Sequence, residues 1–501
     1  AVQSRVHASI WGRRSGGPGG GAAAVRGGSH RADGAAGAEP RRDAGELPAL
    51  HLNVAIFMMW AFGRRLVAMT SFSKPLDDRW ISTLLKAATF SYSNNDPRVR
   101  PAVAHGASGC LAVMASNDVI AANPKIVSGL LQLTTPHQPL VVRNNSCLAL
   151  AHVANRHLIN HRGRRGGGDT CETGSWIKFS QMVLISKAAH LLYGCAESKY
   201  EMFASRVTKD DIEMRENASS ALMAMCIAAT SADGMEKIKK DGLTRPSYLL
   251  ACTTSHTVVR SAAVMVWSLA RQSTAIQEML GGNGTVERLL AVLTRLESEL
   301  TASENGEMSA DDALLLVSTM SWAATALWVL CEFEQNGNVV ASSHSGILVL
   351  CRLVEACFSA PPTSAVASRA SSARPSPRRK RQRNHRAALG VACLGTLRCC
   401  ISTTYGQHMM HEKHTGFTLT TCLLSVLRAN SPRPTAPALR EAGGLLFKVQ
   451  TSPYMRRIAE QVHGSSTVLE DTFGGLLEAD ASSTPGPNFA ELIGDIAIVC
   501  G

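Results

Sequence analysis

Residues able to bind a metal cluster near the C-terminal third of the chain. His408, His411 and His414 recur at intervals of three, and Cys393, Cys399 and Cys400 precede them. Imidazoles and thiolates are good zinc ligands, but a metalloprotease helix needs two residues between Glu and the second His so that both imidazoles share a face. Here only Lys413 separates Glu412 from His414, so no metal is expected. Phosphate-cradling loops fail for a similar reason: Gly16-Gly-Pro-Gly-Gly-Gly and Gly166-Gly-Gly-Asp lack the Lys-Ser/Thr ending that completes a nucleotide site. No Gly-x-Ser-x-Gly elbow sits at a strand-to-helix turn, and no Ser, His and Asp group stands out. The expectation is a protein without catalytic residues or cofactor.

Charge offers a second kind of chemistry. Arg378, Arg379, Lys380, Arg381 and Arg383 form a dense basic run near Ser371, Ser372 and Ser376, in a Ser/Pro-rich stretch. That composition predicts a solvated basic loop, fit to act as a nuclear localisation signal or an acidic-partner contact. Base readout is not expected, because the run has no interleaved aromatics on which bases stack. Beyond Arg457 the chain has no Lys or Arg and turns acidic.

The elements that must position such residues are read from composition and period. The 501 residues carry a net charge of +12, with 45% hydrophobic but only 5% aromatic residues, which suits packed helices better than aromatic-rich sheets. Most of the fourteen cysteines fall in apolar helical runs, so they are expected as reduced, buried thiols rather than a disulfide framework. The apolar run from Val54 to Phe62 is under half the roughly 20 residues of a membrane span, so no transmembrane segment is expected. Residues 1–75 read as a mostly disordered, low-complexity region and residues 480–501 as an acidic tail.

Between them, over residues 76–479, seven helical segments align from the anchors His105, Asn144, Glu216, Arg260, Ser321, His385 and Arg440. Two positions after each anchor stands Ala107, Ser146, Ala218, Ala262, Ala323, Ala387 or Ala442, always small. Six positions after each stands Leu111, Leu150, Leu222, Val266, Leu327, Val391 or Leu446. Offsets of two, six and nine share one helical face, so these columns predict a core stripe. Gly242, Gly284, Gly346 and Gly416 precede apolar helices and are expected as left-handed turns between helices.

Two uninterrupted steps, Leu111 to Leu150 and Leu222 to Val266, span 39 and 44 residues, near the roughly 40 to 47 of helical repeats. Longer steps contain inserts near 160–175, 301–312, 359–384 and 430–437. The order short helix, Gly turn, apolar helix, loop, small-residue helix resembles the armadillo repeat, best matched at Thr257 to Ala270 and Ile276 to Leu293.

That resemblance implies an all-α, right-handed α-α superhelix whose third helices line a groove for other proteins, as extended peptides or helices. The Trp and Asn columns of the family's nuclear import carriers are missing: the matching positions read Gly109, Leu148, Ser220, Val264, Thr325, Leu389 and Gly444, then Val113, His152, Ala224, Ser268, Val329, Cys393 and Lys448. The expected function is a cytoplasmic, non-enzymatic scaffold or adaptor. Its expected partner-binding residues lie one or eight positions after an anchor: Asn145, His152, Asn217, Ser261, Ser268 and Trp322. The alternative is a nuclear transport or regulatory adaptor using the basic insert at 374–386.

Overall fold

The computed structural model describes residues 78–89, 100–115, 124–163, 188–196, 208–231, 245–252, 255–304, 308–358, 377–410, 413–428 and 435–451. By contact the chain divides into units of residues 1–50 and 51–501, and every described residue lies in the second. The expectations for residues 1–75 and for the tail at 480–501 lie outside the described residues.

Every element among the described residues is helical. In chain order they are α1 (Asp78–Thr89), α2 (Arg100–Met114), α3 (Pro124–Leu133), α4 (Leu140–Gly163), α5 (Ala188–Ala196), α6 (Lys209–Ser231), α7 (Pro246–Leu250), α8 (His256–Ala270), α9 (Thr274–Gly282), α10 (Thr285–Glu304), α11 (Ala310–Cys331), α12 (Glu334–Ser342), α13 (His344–Phe358), α14 (Pro377–Ser402), α15 (Thr404–Met410), α16 (Lys413–Arg428) and α17 (Ala436–Thr451). A circular dichroism spectrum dominated by helix is the expected result, and a substantial β signal would overturn the fold.

Local chemistry explains where several helices begin. Ser255, Ser273 and Ser309 each take an extended conformation and accept a hydrogen bond from the backbone N–H three residues on, satisfying a donor that has no intrahelical partner. Thr208 and Asp211 cap α6 reciprocally, with Asp211 N–H donating to Thr208 Oγ1 at 3.2 Å and Thr208 N–H to Asp211 Oδ2 at 3.1 Å. Gly284, between α9 and α10, has φ of 72°, the left-handed turn foreseen for it. Gly346 and Gly416 lie instead inside α13 and α16. A β-carbon on Gly346 would stand 2.9 Å from Val340 O, so close packing keeps that position small.

The seven aligned segments fall on α2, α4, α6, α8, α11, α14 and α17, and each of these helices packs on the next in turn. From residue 274 onward the remaining helices repeat in threes. The short helices α9, α12 and α15 contact one another in succession, as do the apolar helices α10, α13 and α16. Each element therefore finds one partner in the preceding unit and one in the following unit.

Among the residues whose side chains are described, the core columns follow the pattern in every segment but the sixth, and Leu446 is not among them. Ala107, Ser146, Ala218, Ala262, Ala323 and Ala442 are all fully buried, as are Leu150, Leu222, Val266 and Leu327. The sixth segment departs from it. Ala387 and Val391 are half-buried, whereas Gly390, Leu394 and Leu397 are buried. These three stand two, six and nine positions after Ala388, so the anchor of α14 is Ala388 and not His385. A β-carbon on Gly390 would come 2.5 Å from Phe358 Cε2, and one on Gly395 would run into the Trp328 indole. The small residues of α14 are where α13 and α11 press closest.

Apolar length has a second consequence at α11, which is long and apolar enough to cross a bilayer. Most of that apolar stretch is buried against α8, α10 and α14, as befits a central helix of the stack. All twelve described cysteines are free thiols, eleven of them buried, in keeping with the reduced reading.

Candidate partner-binding face

An α-helix turns about 100° per residue, which places positions two, six and nine after an anchor on one side and positions zero, four, seven and eleven on the other. On α4, α6, α8 and α11 the second set is mostly the solvent side. Asn144, Leu148 and Asn155 on α4, Glu216, Ser220, Met223 and Ile227 on α6, and Arg260 and Trp267 on α8 are half-exposed. Thr325 and Trp328 on α11 are half-exposed too, while Arg271 and Glu332, just past α8 and α11, are open to solvent. Ala151, Val264 and Ser321 are the buried exceptions.

The expected binding residues stand about a quarter turn away from this strip, and the structure divides them. Ser261 and Ser268 are 1% and 5% exposed, closed off because α6 and α11 cover both flanks of α8. They cannot touch a partner, which corrects the expectation for both. Asn145, His152, Asn217 and Trp322 are half-exposed at the margin of the strip. Asn145 and Asn217 already serve neighbouring helices: Asn145 Nδ2 donates to Ser108 Oγ on α2 at 3.0 Å, and Asn217 Nδ2 donates to Asn144 Oδ1 on α4 at 2.8 Å. Their first role is to stitch the stack.

The strip changes character along its length. Its first half is mixed, with Asn144, Asn155, Glu216 and Ser220 beside Leu148, Met223 and Ile227. Ser255 Oγ donates to Glu216 Oε1 at 2.6 Å, tying α6 to the cap of α8. Burial raises the Glu216 carboxyl above the ordinary carboxylate range, and Glu213 adds to this, while Ser255, Arg260 and Thr257 pull it back. An acid whose folded pKa is raised contributes stability at low pH that is lost as pH rises through the folded value. Wild type is therefore expected to lose stability relative to Glu216→Gln between about pH 4 and pH 7. Urea titrations at both ends would check this; a difference that stays flat with pH would contradict the burial of that carboxylate.

Its second half is aromatic. Trp267 and Trp322 meet edge to face with ring centroids 5.3 Å apart and planes at 65°. The Arg271 guanidinium lies 4.9 Å from the Trp267 ring centre, a cation–π contact at the helix end. Large half-exposed rings beside an arginine are the residue types that dominate protein interfaces. Trp267 and Trp328 both pack against the core, and their outward edges show only once the neighbouring helices are in place.

No family model matches this chain, and no curated protein matches it. Among solved structures, an engineered protein is 15% identical, with the match covering 64% of this chain and 98% of that one at a TM-score of 0.36. A chain from the structure described as "A conserved phosphorylation switch controls the interaction between cadherin and beta-catenin in vitro and in vivo" is 11% identical, with 89% and 96% covered and a TM-score of 0.31.

The basic run is not a loop. Arg378, Arg379, Lys380, Arg381 and Arg383 occupy the first two turns of α14, which runs unbroken from Pro377 to Ser402. Proline at the first helical position costs no hydrogen bond and pre-sets the backbone, and Arg, Lys and Gln are good helix formers. Positive charge at a helix N-terminus opposes the macrodipole, and an ion pair from Arg378 to Asp311 in the first turn of α11 offsets part of that. Arg378, Lys380 and Arg383 are exposed. Burial lowers the His385 imidazole below its ordinary value, with the charges of Arg260 and Arg381 adding to the effect.

The histidine group of the sequence is only partly in view. His408 stacks beside Tyr405 at 6.3 Å, whereas His411 lies outside the described residues. Among the described residues no three metal-binding side chains converge.

Proposed function

We propose that this protein is a non-enzymatic interaction scaffold of the armadillo type, which holds a peptide or helix of another protein along the solvent strip of α4, α6, α8 and α11. The observation that carries the reading is the serial packing of seven small-residue helices, with positions zero, four, seven and eleven of α4, α6, α8 and α11 turned mostly outward together. Such a strip suits a ligand lying across successive helices. Three helices per unit from residue 274, each packed on its counterpart in the next, support the armadillo assignment over an irregular bundle. Interaction hot spots favour Trp and Arg, which supports Trp267, Arg271 and Trp322 as the strongest contacts.

Capture with the full chain and with Arg271→Glu as paired baits tests this. Arg271 is exposed, so the variant keeps its fold while reversing the charge beside Trp267. A partner is expected to lose at least about 30-fold in affinity, as for a hot spot of roughly 2 kcal/mol. Identical capture and affinity for both baits would reject this face.

A second reading has its own observation. The exposed Arg378, Lys380 and Arg383 suit an acidic receptor and support nuclear entry, in place of the cytoplasmic location that the scaffold reading takes. Replacing these three by Gln should leave helicity intact and shift the nuclear fraction; unchanged fractionation would leave the cytoplasmic reading standing.

A further inference from the structure

Between Arg378 and Arg386, α14 carries six arginines and lysines and no acid. At about 100° per residue these cations divide between two sides of the helix. Arg378, Arg381 and His385 share the side on which Arg378 pairs with Asp311 of α11, and Arg381 and His385 are half-buried there. Lys380 and Arg383 lie on the opposite side with Asn384 beside them, and all three are exposed. Among the described residues no carboxylate pairs with Lys380 or Arg383. Arg386, half-buried, continues the same side one turn further on. Cations in the first turns oppose the helix macrodipole, and Asp311 offsets this at Arg378 alone, so the free protein carries an electrostatic conflict that an external anion would relieve.

The surroundings of Lys380 and Arg383 decide which anion. The other α14 residues on their side are Asn384 and Ala387, so no large apolar or aromatic side chain of the helix stands there. A protein partner draws most of its affinity from buried aromatic and aliphatic anchors, and a helix adsorbed on a bilayer needs an apolar face to sink below the headgroups. This side of α14 offers neither. Single-stranded nucleic acid is held by stacking its bases on aromatic rings, which are missing too. A duplex asks for less. Its phosphates face outward, and each one neutralised by a cation releases condensed counterions whatever the sequence.

We propose that this side of α14 is a sequence-independent binding site for duplex nucleic acid, with Lys380 and Arg383 on the phosphate backbone and Arg386 at its edge. Lys380 and Arg383 are a rise of about 4.5 Å apart along the helix, and each strand of a duplex presents a phosphate about every 3.4 Å of its axis. Their heads therefore take separate phosphates. The planar guanidinium of Arg383 matches two phosphate oxygens at once, and the net charge of +12 draws a polyanion in from a distance. The site is separate from the strip of α4, α6, α8 and α11, and its ligand differs from the acidic receptor that would carry the protein into the nucleus.

The test measures fluorescence anisotropy of short labelled DNA and RNA duplexes of unrelated sequence, titrated with the full chain. All are expected to bind within about 3-fold of one another, and affinity should fall roughly 10- to 40-fold between about 50 and 200 mM salt, as for two to three phosphate contacts. Lys380→Gln with Arg383→Gln should weaken binding at 50 mM salt by about 10-fold or more and flatten the log–log salt slope by about 2. Lys209→Gln with Arg245→Gln removes the same charge from exposed positions on other helices and should change affinity by less than about 2-fold. Circular dichroism checks that helix content is kept, and Arg383→Gln alone, expected to flatten the slope by about 1, serves if the double variant is loosened. Poly-glutamate and phosphatidylserine vesicles compete as the other two polyanions and should displace a duplex poorly. The proposal fails if no duplex binds at 50 mM salt, if the α14 variants bind as the wild type does, if the control pair loses as much as the α14 pair, or if poly-glutamate or the vesicles bind as tightly as a duplex.

Discussion

Leu327→Ala is expected to lower the stability of this protein by about 3 to 5 kcal/mol. Leu327 is 0% exposed on α11, which packs on α8 before it, α14 after it and α10 behind it. Removing three methylene-scale groups there forfeits their transfer free energy and leaves a cavity walled by several helices. Those walls cannot collapse together without shifting the stack. In a serial array each unit is stabilised by its two neighbours, so damage at α11 weakens two interfaces. Urea unfolding followed by circular dichroism would measure it. A loss below about 1 kcal/mol would mean that position six after the anchor is not a core column.

That column was legible because burial on a helix repeats with the period of the chain. A small residue at position two and a branched aliphatic at position six answer a local need, close approach of one helix to the next, which any single sequence displays. The candidate binding face was harder to read. Positions one and eight fall outside the core stripe, yet on α8 the flanking helices cover them and bury Ser261 and Ser268. Flank burial is a property of neighbours in space. It leaves no mark on the period of the helix itself, and only the stacked arrangement turns positions zero, four, seven and eleven into the outward strip.

The basic run misled for a different reason. Ser371, Ser372, Pro375 and Ser376 carry a loop composition, and Arg378 to Arg383 were read with them because both are polar. Pro377 is the boundary: at the first position of α14 it begins the helix that the same residue would break further in. The extra turns carry Arg378 to Asp311 in the first turn of α11. A local rule of helix initiation thus decides where an electrostatic feature points.

The placement of the sixth segment can be decided by two substitutions in one helix. If Ala388 is the anchor of α14, Gly390→Leu should be among the most damaging single changes in the chain, costing about 3 kcal/mol or more through overpacking. A β-carbon at Gly390 would already lie 2.5 Å from Phe358 Cε2, 2.8 Å from Phe358 Cζ and 3.2 Å from Cys357 Cβ, and the rest of a leucine has to go further into α13. Phe358 and Cys357 are each 5% exposed, so neither can swing out to solvent without opening the core. Ala387→Leu is the contrasting change. Ala387 is half-buried, both residues are strong helix formers, and the larger side chain has solvent on one side, so the cost should be about 0.5 kcal/mol or less. Were Ala387→Leu the costly variant and Gly390→Leu the tolerated one, the anchor would return to His385, and the close contact of α13 with α14 at Phe358 would have to be abandoned with it.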